Sequence, residues 1–134
     1  AVGLGVALRG LNQAEQAKAQ YERAITIDGN RPDAYFNLGV LYQDYMGGDI
    51  QQLERAKSFY QQFIQKAAGQ AQYAQSVSQA QVRTRNADTA IGALRQAAQM
   101  QQEAARMQQQ QQQAPAPTPA AVSAPDAGAS PPNR

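Results

Sequence analysis

Cysteine and histidine are both missing from this 134-residue chain. Without cysteine there can be no disulfide framework, thiolate nucleophile or thiolate metal site. Without histidine a Ser-His-Asp triad, a Cys-His pair and a His-ligated zinc are excluded as well. Charge is sparse, at 16% charged residues and a net +2, and no basic cluster stands out. Strong nucleic-acid binding needs a focused phosphate-facing patch, so nucleic acid is not an expected partner. No run of about 18 apolar residues occurs, so no membrane span is expected in this segment. No signal-peptide pattern is visible, and residue 1 is Ala rather than Met. The expectation is a fragment or processed product, for which missing targeting signals carry no weight. Large apolar residues are also few: Leu, Ile, Val and Phe number 21, roughly 16%, below the level of a fully globular domain.

What the chain does have is unevenly spread. Ala and Gln together supply 51 residues. Sixteen of the 21 large apolar residues and eight of the nine aromatics fall within residues 1–64, which therefore hold the candidate core. Beyond them only Tyr73, Val77, Val82, Ile91, Leu94 and Val122 offer much to pack.

The apolar half contains an internal repeat. Leu4-Gly5-Val6 recurs as Leu38-Gly39-Val40, 34 residues later. Ala17-Lys18-Ala19-Gln20-Tyr21 aligns with Ala56-Lys57-Ser58-Phe59-Tyr60 at a spacing of 39, which places five extra residues around Met46-Gly47-Gly48-Asp49-Ile50. Small residues (Gly5, Gly39, Ala17, Ala24) allow helix backbones to approach. Large ones (Leu8, Tyr21, Leu38, Tyr42, Tyr60, Ile64) fill the space between. A helical hairpin leaves one apolar face open, and stacking the next hairpin buries it. An ordinary antiparallel bundle is the competing reading of the same pattern.

Over residues 1–67 this pattern resembles the tetratricopeptide repeat (TPR) family, in which each 34-residue unit is a pair of antiparallel helices. The first unit matches through Leu4, Gly5, Leu8, Ala17, Tyr21 and Ala24, and the second through Tyr35, Leu38, Gly39, Tyr42, Ala56 and Tyr60. Departures are Phe63, where the family has a small residue, Gly29, where it has Pro, and the five-residue insertion. The expected fold class is all-α: a TPR-like α-α superhelix of antiparallel helical hairpins, with extra C-terminal helices and a disordered tail.

Local signals place helices at about 2–10, 13–28, 32–45 and 50–67. Asn12-Gln13-Ala14-Glu15 reads as a capping box, and Asp49-Ile50-Gln51-Gln52 has the same form. Gly29 is placed to end a helix in the left-handed conformation, Asn30 to cap the next, and Pro32 to sit in its first turn. Gly69 suggests a break. A covering segment over 68–86, with a helix at about 70–84, is then expected, followed by an Ala/Gln-rich helix at about 88–112 capped by Asn86 or Asp88, within a segment 87–113. Residues 114–134, rich in Pro and Ala without apolar periodicity, are expected to be a disordered tail, because they cannot recover ordering entropy by burial.

The resemblance implies a concave surface lined by the first helix of each unit. Its expected partner-binding residues are Val6, Arg9, Asp33, Phe36, Asn37, Val40, Gln43 and Asp44, with Val2 in its apolar part. Asn37 offers donors and an acceptor to an extended backbone. A chaperone-type carboxylate clamp is not expected, since Val2 and Val6 occupy the positions where Lys and Asn would stand. The turn around Tyr45 and Met46 is a second candidate surface. No catalytic residues, cofactor or metal are expected: the carboxylates are scattered, the Ca²⁺-loop spacing is absent, and neither Gly47-Gly48 nor Leu4-Gly5 is a phosphate loop. The functional expectation is a protein–protein interaction scaffold without catalysis. It would bind a peptide or helix of a protein partner. The alternative is a structural, self-associating component of a bacterial cell-envelope assembly acting through the Gln-rich helix and its tract Gln108–Gln113.

Overall fold

A computed structural model describes residues 1–115 and residue 132. The element order is α1 (Val2–Gly10), α2 (Ala14–Ile27), α3 (Pro32–Asp44), α4 (Ile50–Ala67), a 3₁₀ turn (Ala71–Tyr73) and α5 (Ala74–Gln113). There is no strand among the described residues. No described helix is long and apolar enough to cross a membrane. Contacts divide the chain into two units, Ala1–Gln99 and Met100–Arg134. In the second, residues 100–113 are helical and exposed. Of the tail expected at 114–134, all but residues 114, 115 and 132 lie outside the described residues.

The first unit is a stack of hairpins. The most extensive packing is α3 on α4, followed by α1 on α2 and then α2 on α3. Each hairpin is closed by the same device. A Cβ placed on Gly5 would lie 2.6 Å from the Tyr21 ring, and one on Gly39 would lie 2.5 Å from the Tyr60 ring. In each pair the tyrosine ring packs against bare backbone of the preceding helix, which only glycine permits. This explains why the Leu-Gly step and the later tyrosine recur together. Tyr21, Tyr60, Phe63, Leu38 and Leu41 are the largest fully buried side chains, each contributing about 1.5–3 kcal/mol from burial.

The repeat also shows what stacking does. Leu38 is 0% exposed because α2 lies over α3, whereas its counterpart Leu4 on the first helix is 53% exposed. Phe36 and Phe63 meet edge to face at 5.1 Å, and Tyr73 meets Phe63 at 6.0 Å. Phe63, noted above as a departure from the repeat pattern, is thus a core aromatic.

The helix ends depart from the sequence reading in three places. Asn12 does not cap α2. It has φ +58°, its N–H bonds the Arg9 carbonyl, and the Gln13 N–H bonds the Leu8 carbonyl. These are the paired bonds of a left-handed C-terminal closure of α1, which asparagine tolerates better than most residues. Gly29 is not among the residues with positive φ. Asp28 makes that turn instead: its carboxylate accepts from Asn30 N–H at 3.1 Å and its carbonyl from Arg31 N–H at 3.2 Å. The Gly29 carbonyl accepts from the Tyr35 hydroxyl at 2.9 Å. Asn30 does not cap α3, whose N-cap is Arg31, although Pro32 does open the helix. Asp49 does cap α4, accepting from Gln52 N–H at 2.8 Å, and Gly69 does make the break, with φ +77°.

The largest difference lies after residue 73. A single helix α5 replaces the two helices expected at about 70–84 and 88–112. Arg85-Asn86-Ala87-Asp88 contains neither Gly nor Pro, so nothing forces a break there. Tertiary contacts also favour helical continuity. Ala87 and Ile91 bury against Leu53, while Lys57 pairs with Asp88 at 2.5 Å. Asp88 and its neighbour Glu54 raise the Lys57 pKa, the Asp88 hydrogen bond having the larger effect.

Candidate functional site: the α1–α3 face and its junction with α5

The expected groove residues do not form one open surface. Val40 is 7% exposed and joins the core cluster that also holds Ala80 of α5. Phe36 is half-buried and spends its ring on Phe63 and Tyr60. These two positions are core first. Val6 is 41% exposed and stays available.

The polar residues divide into two clusters. At one, the Arg9 guanidinium donates from Nη1 to Asn37 Oδ1 at 3.1 Å, and Asn37 Nδ2 donates to the Asp33 carbonyl at 2.8 Å. Arg9 and Asn37 thereby tie α1 to α3 across the hairpin boundary. Arg9 has no carboxylate partner among the described residues, while Asp33 leans toward Arg31 at 3.9 Å. Beneath them the Tyr21 hydroxyl is buried without a hydrogen-bond partner. Burial pushes its pKa up, against the pull of the Arg9 charge.

At the other cluster, Gln43 and Asp44 face α5. The Tyr60 hydroxyl donates to Gln43 Oε1 at 2.7 Å, and Gln43 Nε2 donates to the Arg83 carbonyl at 3.1 Å. Arg83 Nη1 returns to Gln43 Oε1 at 3.2 Å and to Asp44 Oδ2 at 3.1 Å. Burial raises the Tyr60 pKa to about 12, with Arg83 opposing the shift. Gln43 and Arg9 are counterparts in the repeat, yet Gln43 satisfies its tyrosine and Arg9 does not. Arg9 is diverted to Asn37, which leaves Tyr21 alone.

Arg83 was not among the residues expected at the site. Beyond it α5 and the end of α3 frame an open cleft of about 660 Å³ lined by Asp44, Gln75, Gln79, Val82 and Asn86, among others. The positions 75, 79, 82 and 86 form one helical face in the sequence. Only the contact with α3 distinguishes them from the many other glutamines of the chain. At the turn, Tyr42 is buried and stacks on Phe59 at 5.4 Å, whereas Tyr45 remains 39% exposed.

Helix pairs each closed by a Gly–Tyr contact and stacked hairpin on hairpin define a helical-repeat protein. Residues 5–44, from within α1 to the end of α3, match the family model described as TPR repeat. The match points to a protein–protein interaction module. Neither a curated protein nor a solved structure matches the chain.

Proposed function

We propose that the chain is an interaction scaffold that holds a peptide or helix of a protein partner against the α1–α3 face, without chemistry of its own. The observation that carries this reading is Arg9. It is a charged, half-buried guanidinium that spans two hairpins, bonded to Asn37 and lacking a carboxylate, with exposed Val6 one turn away on α1. A charge fixed in place beside an apolar patch provides orientation and anchoring together. Asn37 contributes by fixing the guanidinium, and its remaining amide hydrogen and lone pair are free for a ligand. Phe36, Val40, Gln43 and Asp44 support the face from below or from its α5 edge.

The test is capture of partner by the immobilised full chain, quantified by mass spectrometry, for wild type and for Val6→Asp with Arg9→Glu. The expected outcome is at least a tenfold loss of the recovered partner with unchanged helical circular dichroism. Equal recovery from both would refute the assignment.

A second reading is self-association through the Gln-rich part of α5. Met100 and Met107 are exposed there, at 63% and 57%. Sedimentation with and without residues 100–134 separates it: an unchanged association state on truncation removes this reading.

A further inference from the structure

Among the described residues three ion pairs join distant parts of the chain: Arg83–Asp44 at 3.1 Å, Lys57–Asp88 at 2.5 Å and Arg95–Glu54 at 3.4 Å. All three run between α5 and the second hairpin. The other two pairs, Arg31–Asp33 and Lys57–Glu54, are local. Apolar contact divides the opposite way. The extensive helix packings lie among α1 to α4, and the largest fully buried side chains belong to α2, α3 and α4. Along its 40 residues α5 buries only Ala80, Ala87 and Ile91, so Ile91 is the one large side chain it commits fully to a core. Most helices in proteins are held by an apolar face, whereas α5 is held largely by charge. We propose that α5 is a charge-held strap: its segment from Ala80 to Arg95 lifts from α3 and α4 when these ion pairs are screened or broken, while both hairpins stay folded. This is a property of how the chain holds itself and stands apart from the scaffold reading.

The join to α4 suits such a movement. Gly69 has φ +77° and nothing within 4 Å of its Cβ position. The turn is closed by short-range bonds, from Gln70 N–H to the Ala67 carbonyl and from Tyr73 N–H to the Gln70 carbonyl. Tyr73 is pinned edge to face on Phe63 at 6.0 Å, so the near end of α5 is anchored by a ring and the far end by charge. Each ion pair includes a side chain in contact with water: Asp44, Asp88 and Arg95 are 42%, 55% and 63% exposed. One exposed pair contributes little. Here three sit on one helix, and lifting it breaks them together. Raising the salt from 0.1 M to 1 M shortens the screening length from about 10 Å to about 3 Å, which weakens all three at once. The same salt does not weaken the apolar burial that holds the hairpins. Lifting uncovers Leu53 and Ile50, which Ala87, Ala90 and Ile91 now cover.

The chain has no cysteine, so single-cysteine reporters read the movement in the full chain. Ala87→Cys lies under the strap and Ala17→Cys lies inside the first hairpin, both at positions 0% exposed. Half-buried Ala90→Cys is a second strap reporter should Ala87→Cys disturb the fold by circular dichroism. Labelling by N-ethylmaleimide is measured in 0.1 M and 1 M sodium chloride, each rate divided by that of the same chain unfolded in urea at the same salt. The expected result is that the strap reporter labels at least about fivefold faster in 1 M salt, and at 0.1 M in the Lys57→Asp background. Charge exchange, Lys57→Asp with Asp88→Lys, should return the rate toward that of the parent chain. The Ala17→Cys reporter should stay slow throughout. Strap and hairpin reporters accelerating together would mean global unfolding and overturn the inference. A strap reporter indifferent to salt and to Lys57→Asp would show that apolar contact holds α5, and an acceleration that charge exchange leaves in place would show that Lys57 acts by packing. Either outcome also overturns it.

Discussion

Gly39→Ala should destabilise the fold although alanine is the better helix former. The new methyl carbon would lie 2.5, 2.6 and 2.9 Å from Cε1, Cδ1 and Cζ of Tyr60. Real Cβ atoms do not approach that closely, so a neighbour must move. Tyr60 cannot yield easily: it is 0% exposed, and its hydroxyl is held by Gln43. Overpacking of a filled core costs about 1–3 kcal/mol, and contact below 3 Å with a ring places this site near the top of that range. Alanine returns about 1 kcal/mol through helix propensity. The net expectation is a loss of about 1–2 kcal/mol. Gly92→Ala is the control, because nothing lies within 4 Å of its Cβ position and the propensity gain of up to about 1 kcal/mol stands alone. Urea unfolding followed by tyrosine fluorescence reads the core around Tyr21, Tyr35, Tyr42 and Tyr60, and far-ultraviolet circular dichroism reads the helices. Gly39→Ala lowering the midpoint while Gly92→Ala raises or preserves helicity is the predicted pattern. If Gly39→Ala stabilised the core as much as Gly92→Ala stabilises α5, the close-packing account would be wrong. Gly5→Ala should cost less than Gly39→Ala, because α1 is covered on one side only and can shift away from Tyr21.

Other outcomes follow from the same contacts. Tyr21→Phe removes a buried hydroxyl that has no partner, and should be neutral or stabilising by up to about 1 kcal/mol. Tyr60→Phe breaks a 2.7 Å bond to Gln43 and should cost about 0.5–1.5 kcal/mol; equal effects at the two sites would contradict the difference in hydroxyl partners. Asp49→Ala removes the cap on Gln52 N–H and should cost about 1 kcal/mol in thermal or urea unfolding. Stability should also fall at high pH. Tyr60 in the folded chain titrates near 12, against about 10 when unfolded. Between those values the folded state holds the proton and the unfolded state has lost it, so stability drops as pH rises from 10 to 12. Urea midpoints across that range check it, and Tyr60→Phe should flatten the decline.

The four helices of the two hairpins were legible in the sequence. Their apolar spacing is local, and Pro32, Asp49 and Gly69 act on their own neighbours. The repeat itself was legible because Gly5 and Gly39 each require a later tyrosine. The capping roles assigned to Asn12 and Gly29 were not. Asn12 can close one helix or open the next, and which it does depends on how α1 and α2 meet. The burial of the residues expected in the groove was not legible. Val6 is exposed and Arg9 half-buried, whereas Phe36 and Val40 belong to the core because the region around Tyr73 and Ala80 packs there.

The sequence alone determined the class of fold: an all-helical chain whose large apolar residues gather in its first half, without the side chains for thiol or imidazole chemistry. Periodicity and composition decide those matters, and both can be read without knowing what touches what. Tertiary structure decided how α5 behaves. Its residues 74–91 have weak helical signals and modest apolar content, so local signals divide the segment between about 84 and 88, with Asn86 or Asp88 as the cap. Burial of Ala80, Ala87 and Ile91, the Lys57–Asp88 pair and the Arg83 bonds to Gln43 and Asp44 make it one helix and bring it to the end of α3. Long-range contacts of this kind join residues 31 to 40 positions apart, a separation at which local sequence carries no signal.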